Sequence, residues 1–260
     1  MAKISDYVYT FGQQADNWHL IQKADVNSAS NKKDHLALYK KKGTKECALA
    51  FSGSNDGGDW AQNFNALWKS NVCGYSKVHA GMVSEVTNYF RHSAMVPISE
   101  IIRDMCGGEA FIVGHSLGGG VASITAGCLN SAGGAKAIPG VNSGVIPFKA
   151  KGLYTVAAPA ASIPAMTSTG GACFQGRRDF IYDSLTFDVV PYVAGKFGYL
   201  HPKVEALELQ TNNKEHVSKR TWSCTSLQAQ KYPYGMMAKA PSLQDHMTST
   251  YIKRLKALFR

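Results

Sequence analysis

Residues 110–127, AFIVGHSLGGGVASITAG, constrain this chain more than any other segment. A short, continuous apolar run, the mark of a strand buried on both faces, passes without a linker into a stretch of small residues with helical character. At the junction stands Gly114-His115-Ser116-Leu117-Gly118, a GxSxG sequence in the strand–turn–helix context that gives it meaning. A chance GxSxG is common in glycine-rich chains, but it lacks these flanks. The spacing has physical reasons. A sharp turn holds Ser116 in a strained backbone conformation, and Gly114 and Gly118 sit where a Cβ would strike the neighbouring strand or helix. The helix starts at the serine, so its free N–H groups and positive dipole end face any negative charge that develops there. The N–H of Leu117 is then a donor to an oxyanion. Gly118, Gly119, Gly120, Ala122 and Ala126 let the helix lie close to the sheet.

The rest of the chain builds an α/β frame around that junction. Residues 4–21 place Ile4, Tyr7, Val8, Phe11, Ala15 and Trp18 at helical spacing, which predicts an amphipathic helix. Strands are expected at 35–39 and 47–51, joined by the turn KKKGTK. Residues 78–105 read as helical with an interruption near Pro97. Further strands are expected at 149–156 and 179–182, with an edge strand at 204–209. Residues 132–148 and 167–178, rich in Gly, Ala and Ser, read as surface loops. Strands alternating with helices imply a mostly parallel sheet with helices on both faces. The 260 residues are 45% hydrophobic and 18% charged, enough to bury one substantial core, and no linker or repeat divides them. A single domain spanning 1–260 is expected.

A serine nucleophile needs a base and a group that orients the base. When GxSxG serves this chemistry, the acid and then the histidine follow the serine in the chain. The histidines after Ser116 are His201, His216 and His246; the acids are Asp179, Asp183, Asp188, Glu205, Glu208, Glu215 and Asp245. Asp188 follows the strand-like run DFIYD and precedes Val189-Val190-Pro191, where the proline fixes a loop. Asp183 competes, closer to the strand. His246 lies in the polar loop SLQDHM before the last helix, and Asp245 beside it suits a helix cap.

These residues resemble the class 3, fungal-type triacylglycerol lipases of the α/β-hydrolase superfamily. The resemblance runs from about Leu36 to Tyr251 in five ordered parts: Phe51-Ser52-Gly53-Ser54 with Asp59-Trp60; Val78-His79-Ala80-Gly81-Met82; Gly114 to Gly119; Asp188-Val189-Val190-Pro191 with Phe197-Gly198-Tyr199-Leu200-His201; and Asp245-His246. Each part is weak alone, and the five in order are specific. The resemblance implies Ser116 as nucleophile, Asp188 as orienter, His246 as base, and Ser54 with Leu117 as the oxyanion hole. It assigns His201 to a structural stretch. Three positions depart from the family pattern. Ser52 stands where Arg is usual, which removes a supporting ion pair; Met82 replaces Phe; and Ala157-Ala158-Pro159 ends a strand where Gly is common.

Trp60, Phe64, Leu67 and Trp68 fall on one stripe of a helix, with Asp59, Gln62, Asn63, Asn65 and Lys69 on the other faces. The family carries a helical lid at this place, so a lid is expected within 55–72, hinged at Gly57 and Gly58 and opening at a lipid surface. A permanently packed amphipathic helix is the plainer alternative. The C-terminal TSTYIKRLKALFR could touch anionic membrane, though such helices more often pack on their own domain. The net charge of +10 favours anionic partners. With no zinc-type cysteine pairs and no RNA-binding aromatic signature, nucleic acid is not among the expected ones. Six cysteines permit three disulfides in any of 15 pairings; Cys128, in an apolar helical stretch, reads as a buried free thiol.

The chain lacks the apolar core of a secretory signal and any run of 18 apolar residues. It is expected to act inside the cell, to leave by another route, or to have lost a signal. The expected chemistry is two-step acyl transfer on a lipid ester at a lipid–water interface, by a monomer and with no cofactor. Triacylglycerol is the first substrate reading. A phospholipase A1 or lysophospholipase, a feruloyl-type small-ester esterase, and an inactive lipase-like binding protein are the alternatives.

Overall fold

The computed structural model describes residues 1–12, 14–27, 33–53, 69–182, 186–212, 216–225, 240–241 and 246–258. The expected oxyanion residue Ser54, the stripe Trp60, Phe64, Leu67 and Trp68, the competing acid Asp183 and the cap Asp245 lie outside these residues.

The described residues form one nine-stranded sheet in the order β1-β2-β3-β4-β7-β8-β9-β11-β12. These are β1 (Gln14–Ala15), β2 (Trp18–Asn27), β3 (Lys33–Lys41), β4 (Cys47–Phe51), β7 (Glu109–His115), β8 (Lys149–Val156), β9 (Phe174–Ile181), β11 (Val204–Asn212) and β12 (His216–Trp222). The five central strands, β4, β7, β8, β9 and β11, run parallel. Antiparallel strands close both sides. Two small pairs stand apart: β5 (Lys69–Val72) with β6 (Tyr75–His79), and β10 (Thr186–Phe187) with β13 (Ala240–Pro241).

Helices cover both faces, and the central strands show it in their alternation. Cys47, Leu49 and Phe51 of β4 and Ala110 and Ile112 of β7 face one core, shared with α2 (Ala80–Arg91), α3 (Met95–Met105) and α4 (Leu117–Asn130). Ala48, Ala50, Phe111 and Val113 face the other, against Ile4 and Val8. Ile4 belongs to α1 (Ala2–Tyr7). On that second side α6 (Thr248–Leu258) packs Tyr251 onto Val156, Ile181, Leu207 and Leu209. A strand with both faces buried can carry apolar residues at every position, and this is why β4 and β7 read as unbroken apolar runs.

Several expectations change. Residues 4–21 are not one helix: α1 ends at Tyr7, Phe11 turns the chain at φ 50°, and β2 begins at Trp18. Pairing along β3 outweighs the local helical period, as tertiary context commonly does. The interruption in 78–105 lies at 92–94, between α2 and α3, and Pro97 sits in the first turn of α3, where a helix needs no N–H. Strand β9 begins at Phe174, inside the expected loop 167–178. Strand β11 is not an edge, because β12 pairs beyond it and carries exposed Lys219 and Arg220 outward. Residues 69–72, the end of the span expected for the lid, form β5. Cys128 is not a free thiol: it is bonded to Cys73, just after β5, while Cys47 pairs with Cys106 and Cys173 with Cys224. The expectation failed because α4, buried nearly all round, brings Cys128 against the β5–β6 turn.

Candidate active site

Strand β7 ends at His115, and Ser116 follows at φ 55°, ψ −132°, before α4 begins at Leu117. This conformation costs on the order of 1–3 kcal/mol for a non-glycine residue and persists only where the surroundings enforce it. Here they do: the Ser116 N–H donates to the Val156 carbonyl at 3.0 Å, and the Ser116 carbonyl accepts from Gly119 N–H at 2.9 Å. The flanking glycines are sterically required. A Cβ on Gly114 would lie 2.1 Å from the Gly118 carbonyl oxygen, and one on Gly118 would lie 2.4 Å from the Phe51 carbonyl oxygen. Gly119 similarly faces the Cβ of Ala158. The sheet and α4 therefore meet backbone to backbone, which pins the serine at the C-terminal end of the parallel strands.

Ser116 Oγ lies 2.8 Å from His246 Nε2. The other ring nitrogen, Nδ1, lies 3.0 and 3.1 Å from the two carboxylate oxygens of Asp188. Asp188 can only accept there, so Nδ1 carries the proton and Nε2 presents its lone pair to the serine hydroxyl. Asp188 is fully buried just before α5 (Val190–Val193), which starts with Pro191 in its first turn. Its carboxylate also accepts from Val190 N–H at 3.0 Å and from the Tyr251 hydroxyl at 2.7 Å. Tyr251 in turn accepts from the Ile181 N–H at 3.0 Å. Burial first, and then the charge of Asp188, push the Tyr251 hydroxyl well above its ordinary pKa, so it stays a donor.

Of the other candidates, Asp179 is engaged elsewhere, accepting from Arg177 Nε at 2.6 Å within β9. His201 donates from Nε2 to the Pro191 carbonyl at 2.7 Å, in the structural role the resemblance implied. Burial, and next the charge of Arg178, hold it well below the usual histidine pKa. Leu117 is the first residue of α4, so its N–H has no carbonyl one turn back to receive it. Among the described residues no group of three or more His, Cys, Asp or Glu side chains is gathered as a metal site.

Sequence reasoning missed three residues. Tyr251 supports Asp188 from α6, His115 is the central residue of Gly-His-Ser, and Tyr9 hydrogen-bonds His115 Nδ1 at 2.8 Å from 106 residues away. The motif could have pointed to His115, whose side chain must lie beside the serine; nothing in the sequence marks Tyr9.

The three departures have local explanations. Met82 is fully buried, and its sulfur fills the space over Gly120. Ala157 holds φ 53°, the left-handed conformation that glycine adopts most easily. Ser52 Oγ accepts from His35 N–H at 2.8 Å, leaving the nearby carboxyl of Asp34 to hydrogen-bond with Glu85. Burial first, then Glu85, raises the Asp34 pKa to about 7.

The family model for lipase (class 3) matches residues 48–195, more than half of the chain. Lipase II from Rhizopus niveus is similar in structure, with 19% identity over 94% of this chain and 89% of that one and a TM-score of 0.62. A triacylglycerol lipase from Penicillium expansum is 20% identical over 84% and 80% of the two chains, with a TM-score of 0.53. A third lipase, whose catalytic centre is described as a serine protease triad in a triacylglycerol lipase, is 19% identical over 89% and 80%, with a TM-score of 0.59. No curated protein matches the sequence. An α/β-hydrolase fold, a serine at its sharp turn and the family match together make the chain a carboxylic ester hydrolase, and it belongs to the class 3 lipases.

Proposed function

We propose that the chain hydrolyses triacylglycerol through an acyl-enzyme on Ser116. The observation that carries this reading is the unbroken hydrogen-bonded line Ser116 Oγ–His246–Asp188, at 2.8 and 3.0 Å, in the one tautomer that can take the serine proton. His246 Nε2 accepts the hydroxyl proton as Oγ attacks the ester carbonyl. The tetrahedral oxyanion is stabilised by the N–H groups of Leu117 and Ser54. His246 then gives its proton to the leaving alkoxide. Water, activated by the same imidazole, cleaves the acyl-enzyme and returns Ser116 to its hydroxyl form. Asp188 keeps the imidazole in its tautomer and stabilises the cation formed in each step. The stripe Trp60, Phe64, Leu67 and Trp68 acts as a lid that turns its apolar side to lipid. Micelles that raise catalysis while leaving Trp60 fluorescence unchanged would remove that part.

The test is fatty-acid release from a triglyceride emulsion and from anionic phospholipid vesicles, with Ser116→Ala as control. Release mainly from triglyceride supports the proposal. Release mainly from phospholipid assigns a phospholipase, a reading that the net charge of +10 favours through attraction to anionic lipid. Labelling by a fluorophosphonate at a serine other than 116 would overturn the mechanism.

A further inference from the structure

Behind the reacting groups runs a second hydrogen-bonded line, which reaches the backbone of His246 through residues the mechanism above does not use. The N–H of Gly53 lies 2.9 Å from Tyr9 Oη, Tyr9 Oη lies 2.8 Å from His115 Nδ1, and His115 Nε2 lies 2.8 Å from the main-chain carbonyl of His246. An amide N–H can only donate and a carbonyl can only accept. So Tyr9 accepts from Gly53, and His115 donates from Nε2 to His246. A neutral His115 then carries a lone pair on Nδ1, to which Tyr9 donates. The fold maintains that state: burial, and then the neighbouring His246, lower the His115 pKa to about 3.

The line has no slack. The His115 and His246 rings lie 4.9 Å apart and tilted by 34°, and Tyr9 meets the His115 ring edge-on at 5.8 Å. Gly53 has no room for a side chain: a Cβ there would stand 2.7 Å from Tyr9 Oη, 2.9 Å from the His115 carbonyl oxygen and 3.0 Å from Ser116 Cβ. Tyr9 itself is anchored. Ile4 and Val8 are buried against β4 and β7, and Asp6 accepts from the Thr248 hydroxyl of α6.

We propose that Tyr9 is a positioning residue for the hydrolysis, acting through His115 to fix the backbone of His246 relative to the end of β4. The first twelve residues are on this reading part of the catalytic apparatus. Gly53 lies two residues past β4, so one hydroxyl ties the end of that strand to the residue that carries the base. The proposal rests on Ser116, Asp188 and His246 being the reacting groups. Reaction geometry is sensitive to displacements of about 1 Å, so a carbonyl released from its donor affects turnover before it affects substrate binding.

The experiment measures hydrolysis of p-nitrophenyl butyrate by the full chain, with active sites counted by fluorophosphonate titration. Tyr9→Phe is expected to lower kcat per titrated site roughly 10-fold at unchanged KM. His115→Phe should do the same. His115→Gln, whose carboxamide can again donate towards the His246 carbonyl, should recover most of the loss. The double variant Tyr9→Phe/His115→Phe should be no slower than the worse single one, because both break the same line. A purely structural role would reduce the number of titratable sites and leave kcat per site unchanged. That result, or losses that multiply in the double variant, overturns the proposal. Ser116→Ala separates the two levels: turnover surviving there removes the reading of the reacting groups, whatever Tyr9→Phe does.

Discussion

At the scale of single residues, the site depends on how buried charge is satisfied. Asp188 has no exposure, yet its carboxylate meets three donors: the His246 ring, the Val190 N–H and the Tyr251 hydroxyl. Removing one of them leaves a buried charge less well solvated; for a hydrogen bond to a charged group the cost is about 1.5–3 kcal/mol. Tyr251→Phe should therefore lose about that much stability in urea denaturation while still reacting with a fluorophosphonate at Ser116. Asp34 shows the opposite case, a buried carboxyl beside a second carboxyl. It shares a hydrogen bond with Glu85 and has a pKa of about 7. Its pKa is raised above the unfolded value, so the folded state keeps a proton that the unfolded chain releases between about pH 4 and 7. Stability from this group is then present at low pH and lost as pH rises through that window, at up to ~1.4 kcal/mol per unit, and is flat above it. Asp34→Asn should remove the loss. The difference in urea midpoint between variant and parent should grow in the variant's favour from pH 4 to 7; a constant difference would mean that Asp34 is ionised throughout. The depressed pKa values of His79, His115 and His201 act with the opposite slope, but in both proteins alike, so they cancel in the difference.

Among the elements, the β7–α4 junction is the least tolerant part, and its glycines differ in what they meet. At Gly118 a new methyl would strike the backbone of Phe51 and Ser52, which cannot move without shifting the end of β4. At Gly120 it would meet side chains and no backbone: the sulfur of Met82 at 2.7 Å, part of a flexible side chain, and Cγ of Pro159 at 3.2 Å. Gly118→Ala should cost several kcal/mol, on the scale of an overpacked core, and abolish activity. Gly120→Ala should stay within about 1 kcal/mol of the parent, since alanine also favours the helix. Thermal melts of the two variants decide this. The same contrast explains what the sequence revealed. The turn at Ser116 was legible because steric demands leave few residue choices there, and β4 and β7 were legible because both faces are buried and nearly every position reports it. Strand β2 was hidden because WHLIQKADVN is mostly half-buried and alternates only over its last residues; its pairing with β3 makes it a strand. Strand β12 was hidden for the same reason. Tyr9 could not be found because its partners are brought to it only by the finished fold.

For the whole molecule, the disulfides decide how the parts stay together. Each closes a loop of similar size, with sequence separations of 59, 55 and 51 residues, and loop closure of that length stabilises by ~4 kcal/mol in the chain-entropy account. Against a typical total stability of about 5–15 kcal/mol, losing even one is serious. Among the described residues no helix is long and apolar enough to cross a membrane. The disulfides differ in access. Cys47, Cys106 and Cys128 are at most 2% exposed, so Cys47–Cys106 is closed at both ends and Cys73–Cys128, with Cys73 partly open, at one; Cys173 and Cys224 are both partly open to solvent, at the start of β9 and just past the end of β12. Thiol attack needs a reachable sulfur. Dithiothreitol under native conditions should therefore reduce Cys173–Cys224 first, and alkylation mapped by mass spectrometry should find those two residues labelled while the other four stay protected. Because that bond lies at the far end of the sheet from β4, turnover should survive this step, with a melting temperature lower by roughly 10 °C. The Cys47–Cys106 and Cys73–Cys128 bonds join β4, α3, the β5–β6 turn and α4, the layers that meet at Ser116, so they should open only with global unfolding and activity should disappear with them. Equal labelling of all six cysteines while the enzyme remains active would show that the core around Ser116 does not need its cross-links.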